Sequence, residues 1–361
     1  MPQPPVVLGL DFGGTKIAMA VSEPAGQRLA SATVSSDAGG GAAATFERGV
    51  GAARELLAHA AAGRELAAVG VSTFGIPYDD RVELAPAIRG WDGLALGDRL
   101  RDAFPGAGIA MATDAKAAAL AEARWGALAG SDPAVYLNLG TGLSAAIVIG
   151  GQVVAGANGA AGEIGYNLRA ISDVGAGLDA RIPLEGMISG QALADRAARQ
   201  PASRPAASQP GTGQPGTGHP DGNRPLTAAD VFAVDGHDPA LAGLVTEFVT
   251  ELSFHLVNLA ILLNPARIAA GGGLVRSWHR IGPGLQHALA QAVPYPPELV
   301  TARYQLDAPL VGAIALATEV AQARLAGPGA AANGSSSPIS PHQTAPGTAP
   351  GLRTITEGPL L

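Results

Sequence analysis

The apolar positions of this chain fall first into a hairpin pattern. Between Leu8 and Val21, in LGLDFGGTKIAMAV, two strongly apolar runs flank Asp11-Phe12-Gly13-Gly14-Thr15-Lys16. Short runs of this kind predict buried strands, and the Gly-Gly pair permits positive φ at a tight turn. A helix is predicted over 45–62, where Phe46, Val50, Leu56 and Leu57 share a face, and Gly63 stops it. Residues 66–72 (LAAVGVS) read as another buried strand, running into a loop held by Gly75 and Pro77 at the strand's C-terminal end. A helix over 92–104, a strand over 108–112 and an alanine-rich helix over 114–127 follow.

The opening pattern then returns. Residues 134–155 (AVYLNLGTGLSAAIVIGGQVVA) repeat an apolar strand, a glycine turn at Gly140-Thr141-Gly142 and a second apolar strand. The match is weak in letters and clear in pattern, and it predicts an internal duplication in an α/β protein of two lobes. Downstream lie a glycine-rich loop carrying Glu163, then Tyr166, then Glu185 just before a helix. A long apolar helix is predicted over 244–263, with His255 packed in its core or interface face. A strand over 267–270 runs straight into Gly271-Gly272-Gly273, and a last helix covers 310–325.

Length divides the picture. The chain's 361 residues suffice for two cores. We place the N-terminal lobe at 1–113 and the C-terminal lobe at 114–325, with the helix near 310–325 packing back on the first. A stretch near 198–226 and the tail 326–361 are rich in Pro, Gly, Ser and Ala with little to bury, so both are expected to be disordered. No uninterrupted apolar run reaches the about 18 residues of a membrane span, and no basic-apolar leader precedes the first strand, so a cytoplasmic location without a membrane partner is expected. A net charge of −7 argues against a broad nucleic-acid surface. The absence of cysteine excludes disulfides, thiolate catalysis and Cys-ligated zinc.

Candidate chemistry gathers at the turns. Gly13 and Gly14 let backbone N–H groups approach an anion, while Thr15 adds a hydroxyl, Lys16 an ammonium and Asp11 a carboxylate for a metal held between phosphates. The same residues also make an ordinary hairpin. The second turn has no acid equivalent to Asp11 and offers backbone donors with the Thr141 hydroxyl. Gly271 to Gly273 suit a flat ring or a phosphate, although a bare turn would look the same. Asp114 opens its helix, where an Asp is a good cap without any catalysis.

Four blocks, in order, resemble the ROK family of sugar kinases and repressors: LDFGGTK at 10–16, TDAKAAALAEARWG at 113–126, LNLGTGLSAAIVIGGQVVAGANGAAGEIG at 137–165 and LLNPARIAAGGGLV at 262–275. The resemblance runs from about Val6 to Leu325. It implies two actin-like (ribonuclease H-like) lobes, ATP with Mg2+ in the cleft, and transfer of the γ-phosphoryl group to a sugar hydroxyl. By that resemblance Gly13, Gly14, Thr15, Lys16, Gly140, Thr141 and Gly142 hold phosphates, Asp11 faces the magnesium, and Gly271, Gly272 and Gly273 lie on the adenosine side. Asp114 matches the catalytic base, which must reach the attacking hydroxyl and accept its proton. Glu163 and Glu185 match acids that bind sugar hydroxyls, with Gly75, Thr113 and Tyr166 on the same side. Dimers are common in the family, and the helix at 244–263 could serve a homodimer.

The departures bear on substrate. Thr113 and Lys116 stand where the family has Asn, Ala87 where it usually has Asn, and Tyr166 where it has His. The family's Cys-rich zinc loop is replaced by NLRAISDVGAGLDARIP, so structural zinc is excluded on ligand count. An amide both donates and accepts, Thr offers a hydroxyl and Ala nothing, so a pocket tuned by such groups changes its choice. A modified hexose, an amino sugar derivative or a sugar-like cyclitol is expected rather than plain glucose. ROK-type repressors resemble this chain only after an N-terminal helix-turn-helix extension, whereas here the phosphate hairpin begins at once. A catalytically idle sugar sensor is suggested by the altered sugar positions and opposed by intact Asp11, Lys16, Thr141 and Asp114.

Overall fold

Both hairpins form, and each is the antiparallel half of a five-stranded mixed sheet. The structure is a computed structural model and describes residues 3–200, 226–233 and 238–326. Apart from their edges, the low-complexity stretch and the tail expected to be disordered lie outside the described residues.

In the first sheet β1 (Val6–Phe12) pairs antiparallel with β2 (Lys16–Ser22), and β2 with β3 (Arg28–Ser35). After α1 (Gly41–Ala60), β4 (Leu66–Thr73) joins β1 in parallel. A short ribbon, β5 (Ile76–Pro77) with β6 (Val82–Glu83), and α2 (Leu96–Ala103) lead to β7 (Gly108–Thr113), parallel to β4. α2 starts later than the predicted 92–104 because Gly93 takes positive φ and turns the chain first.

α3 (Asp114–Trp125) leads to the second sheet, where β8 (Ala134–Leu139), β9 (Leu143–Ile149) and β10 (Gln152–Val153) form an antiparallel ladder. The helices α4 (Glu185–Ile188), α5 (Gly190–Ala198), α6 (Ala228–Ala233) and α7 (Pro239–Leu263) precede β11 (Arg267–Gly271), which is parallel to β8. α8 (Trp278–Ala292) then leads to β12 (Glu298–Thr301), parallel to β11. The strand orders β3-β2-β1-β4-β7 and β10-β9-β8-β11-β12 are the same arrangement twice. The duplication that is faint in letters is explicit in topology.

Each sheet has its own core. Leu8, Leu10, Phe12, Phe46 and Trp91 pack in the first, and Val135, Leu137, Phe248, Leu252 and Ile281 in the second. By length and hydropathy α7 could cross a membrane, but Leu244, Phe248, Leu252 and Leu256 are buried in the second core.

The last helix, α9 (Ala308–Ala326), packs on β1 and β4 and against α3. Three glycines permit this approach. A Cβ on Gly70 would overlap the Ala313 carbonyl, one on Gly312 the Ala117 carbonyl, and one on Gly9 would crowd Ile314. α3 carries Asp114, so this contact also sets where the candidate base stands. Gly312→Ala should force α3 from α9 and cost about 1–3 kcal/mol or more, read as a lower midpoint in denaturant.

Candidate active site

The first turn is tied from outside, leaving its tip free. The Gly13 N–H donates to the Lys16 carbonyl at 3.0 Å, the Ser36 N–H to the Thr15 carbonyl at 3.1 Å and the Ser36 hydroxyl to the Gly14 carbonyl at 2.8 Å. Thr15 and Lys16 are exposed. Ala87 lies beside Gly14, 3.8 Å from where a Cβ would stand. Asp11 is in register with Ser72 on β4, whose hydroxyl donates to Asp11 Oδ1 at 2.8 Å. Burial pushes the Asp11 carboxyl up to about 7; the Ser72 bond opposes this, the Asp114 charge adds to it and Lys16 opposes it. A desolvated carboxylate with one side-chain donor among the described residues fits magnesium, which is commonly held by one or two carboxylates together with substrate phosphates.

The second turn closes with the Gly140 N–H on the Gly142 carbonyl at 3.1 Å. The start of α5 grips it, the Gly190 N–H donating to the Gly140 carbonyl at 2.9 Å and the Gln191 N–H to the Thr141 carbonyl at 3.3 Å. Glu185 takes part as well: its Oε2 accepts from the Leu143 N–H at 2.8 Å, and a Cβ on Gly142 would come within 2.5 Å of that oxygen. Glu185 thus holds the turn with one oxygen. Of the three glycines after β11, Gly271 packs on the Tyr136 ring and Gly272 takes φ 87°, both demands of the fold. Gly273 has nothing within 4 Å of a built Cβ, which is room a nucleotide can use.

Asp114 is relieved of capping. The N-cap of α3 is Thr113, whose hydroxyl accepts from the Lys116 N–H at 3.3 Å. Asp114 is the first helical residue, its Oδ1 accepting from the Ala115 N–H at 2.7 Å. Burial raises its pKa and the Glu185 charge adds to this, while the Ala115 N–H and Lys116 oppose. Across from α3, Glu163 lies 3.7 Å from Lys116 Nζ. Its pKa is also raised, by burial first and then by the Asp114 and Glu185 charges, against the pull of Lys116. The Tyr166 hydroxyl is raised by burial and by Glu185 and Glu163. Asp11, Asp114, Glu163, Glu185 and Tyr166 are therefore brought together as one electrostatically linked group. Gly75 takes φ 77° and packs on Ala85 and the Glu83 carbonyl, so its turn is required by the local fold. The loop carrying Glu163 also meets the first lobe, where the Tyr78 hydroxyl donates to the Asn158 carbonyl at 2.8 Å.

Ser72 is not singled out by the sequence pattern, although a polar residue closing the apolar strand LAAVGVS is a usable signal. Between Tyr166 and Glu185, Arg169 Nε donates to Glu251 Oε1 at 2.6 Å and Asp173 accepts from the Arg169 and Ala170 N–H groups. Among the described residues no three His, Cys, Asp or Glu side chains gather as a metal site.

Two matching mixed sheets, a glycine hairpin in each and linked carboxylates beside them make this an actin-like, two-lobed α/β protein. The family model described as "ROK family" matches residues 7–320, and the chain belongs to that family. It is 31% identical over 293 residues to a glucokinase of Halalkalibacterium halodurans, covering 80% of this chain and 86% of that one. It is likewise 31% identical over 295 residues to a kanosamine kinase of Amycolatopsis mediterranei, covering 80% and 87%. Among solved structures, a ROK family glucokinase from Streptomyces griseus in complex with glucose and AMPPNP aligns at TM-score 0.67 and 28% identity, over 87% of this chain and 99% of that one. Family and cleft together make the chain an ATP-dependent sugar kinase.

Proposed function

We propose that this kinase acts in the cytoplasm and transfers the γ-phosphoryl group of ATP to a hydroxyl of a modified hexose or sugar-like cyclitol, with Asp114 as the base. The observation that carries this reading is the division of labour at the head of α3. Thr113 caps the helix, so the partly buried Asp114 carboxylate beside it is left for an incoming hydroxyl. A carboxylate raised in pKa by burial is also a better proton acceptor than one in water.

Asp11 would hold magnesium, and Gly13 to Lys16 with Gly140 to Gly142 would hold the phosphates from the two lobes. Bound ATP with Mg2+ supplies the transferable γ-phosphoryl group and neutralises the charge that develops on its oxygens. Glu163, the free oxygen of Glu185, Thr113 and Tyr166 orient the acceptor, and the bridged lobes exclude water that would compete with it. Relatives are named for glucose and for an amino sugar. This chain's Thr113, Lys116, Ala87 and Tyr166 favour a different acceptor from plain glucose.

An ATP-consumption screen over glucose, mannose, N-acetylhexosamines, kanosamine and inositols tests the reading. A modified hexose or cyclitol should give the highest kcat/KM. Glucose as clearly the best acceptor would overturn the choice of acceptor, and no turnover with any of them would turn the reading to a sugar sensor.

A further inference from the structure

Lys116 is an expensive residue where it stands. Its side chain is 2% exposed, so the ammonium is almost wholly out of water. It is the third residue of α3, where the helix amides already present partial positive charge. Its Nζ has no hydrogen-bond partner among the described residues. The nearby Glu163 oxygen, at 3.7 Å, makes an ion pair but lies beyond hydrogen-bond reach. Burial lowers the lysine's pKa, while Glu163 and Asp114 hold it up. The carboxylates thus answer the charge, but nothing answers the three N–H donors.

The buried ammonium, without a hydrogen-bond acceptor, and the Glu163 carboxylate, 23% exposed, stand 3.7 Å apart. The donor comes from α3, two residues after Asp114, and the acceptor from the loop that meets the first lobe. A single oxygen atom completes both. We propose that Lys116 and Glu163 bracket one oxygen of the acceptor sugar, Nζ donating to it and Glu163 accepting its proton where that oxygen is a hydroxyl. This rests on the sugar-kinase reading above and narrows it.

Specificity follows from the chemistry of an ammonium. It donates only, so it cannot serve an N–H group as an Asn amide can. An acceptor lacking oxygen at that ring position leaves the buried ammonium without its acceptor, the situation in which sites built on hydrogen bonds reject analogues most strongly. A free amino group, charged at neutral pH, sets ammonium against ammonium. A hydroxyl or the carbonyl of an N-acyl group satisfies Nζ. Lys116 is accordingly a specificity-determining residue that requires an oxygen at one ring position.

The test takes the best hexose acceptor from the screen and compares kcat/KM for it with its monodeoxy and monoamino analogues, using the wild type, Lys116→Met and Lys116→Gln. In the wild type, one ring position should show a loss of about 100-fold or more for both analogues. Lys116→Met should reduce that penalty to about fivefold or less at that position alone, with nucleotide affinity kept and a melting temperature equal to or above wild type. Lys116→Gln supplies the same comparison if the first variant folds poorly. Unchanged penalties at every position, or an equal loss for all acceptors, would overturn the proposal, the second outcome marking Lys116 as a counter-charge only. If the wild type turns over nothing, the kinase reading falls by itself. Calorimetric titration of the same hexoses into wild type and Lys116→Met then tests the bracket by affinity. An affinity penalty confined to one ring position and relieved in the variant supports it, and a penalty the variant leaves unchanged overturns it.

Discussion

Asp114→Asn should lower turnover by about a thousandfold while nucleotide binding stays within about twofold of wild type. The substitution keeps the shape and an oxygen able to accept from the Ala115 N–H, and it removes only the capacity to take a proton. Thr113 remains as cap, so the start of α3 does not depend on the change. Were Asp114 only a capping residue, the variant would keep its rate and, because Asn caps a helix as well as Asp, its stability too. A change in both is expected, because the folded protein raises this carboxyl above its unfolded value. A group so shifted favours the folded state below its unfolded pKa, and that contribution is lost as pH rises through the folded one. The variant should therefore melt at or above wild type at pH 8, with the difference fading in acid. A coupled assay of ADP release, a nucleotide titration and melting curves at two pH values read all three quantities. Wild-type turnover in the variant would remove Asp114 as base.

What could be read from the sequence follows from where each strand's neighbours lie. β1, β2, β4, β8 and β9 are nearly continuous apolar runs, since both faces of each are covered, and they are legible as runs. β3 is not: Arg28–Ser35 is an edge strand of small and polar residues, and only its pairing with β2 makes it a strand. β12 has four residues and is defined by β11. Within α8 the run Gly282-Pro283-Gly284 looks like a turn, yet Ile281, Leu285 and Leu289 bury that side of the helix in the second core and hold it. α7 begins before 244 because Asp238 caps it, accepting from the Ala240 and Leu241 N–H groups, a local signal outweighed by the apolar run behind it.

The site divides the same way. Its glycine turns are visible because they interrupt apolar runs, whereas Asp114, Glu163 and Glu185 are singled out by the family resemblance. Ser72 touches Asp11 through parallel register across 61 residues, and Lys116 meets Glu163 across 47, so neither relation is written locally. The family resemblance implies Glu185 as a sugar ligand of the Glu163 kind. Its bond to the Leu143 N–H has it fix the glycine turn of the second lobe. On the proposed reading, a single side chain would link the geometry of the sugar side to that of the nucleotide side.

Asp11→Asn should separate stability from activity most clearly. Between the ordinary carboxyl value of 3.8 and about 7, the folded chain holds a proton at Asp11 that the unfolded chain has lost. The residue's favourable contribution is complete below the lower value, declines through that window, and is gone above about 7. At pH 8 the ionised Asp11 therefore costs the metal-free protein on the order of a few kcal/mol, a cost the amide does not carry. The variant should melt several degrees above wild type at pH 8 without magnesium and no higher at pH 4. Adding ATP with Mg2+ should raise the wild-type melting temperature by mass action and leave that of the variant nearly unmoved, with turnover reduced about a hundredfold or more. Protons and magnesium compete for the same carboxylate in the wild type, so its magnesium requirement should rise as pH falls below about 7. A variant that melts below wild type at pH 8 would instead make the Ser72–Asp11 bond a structural clasp between β1 and β4. A variant that keeps wild-type magnesium dependence would move the metal elsewhere in the cleft.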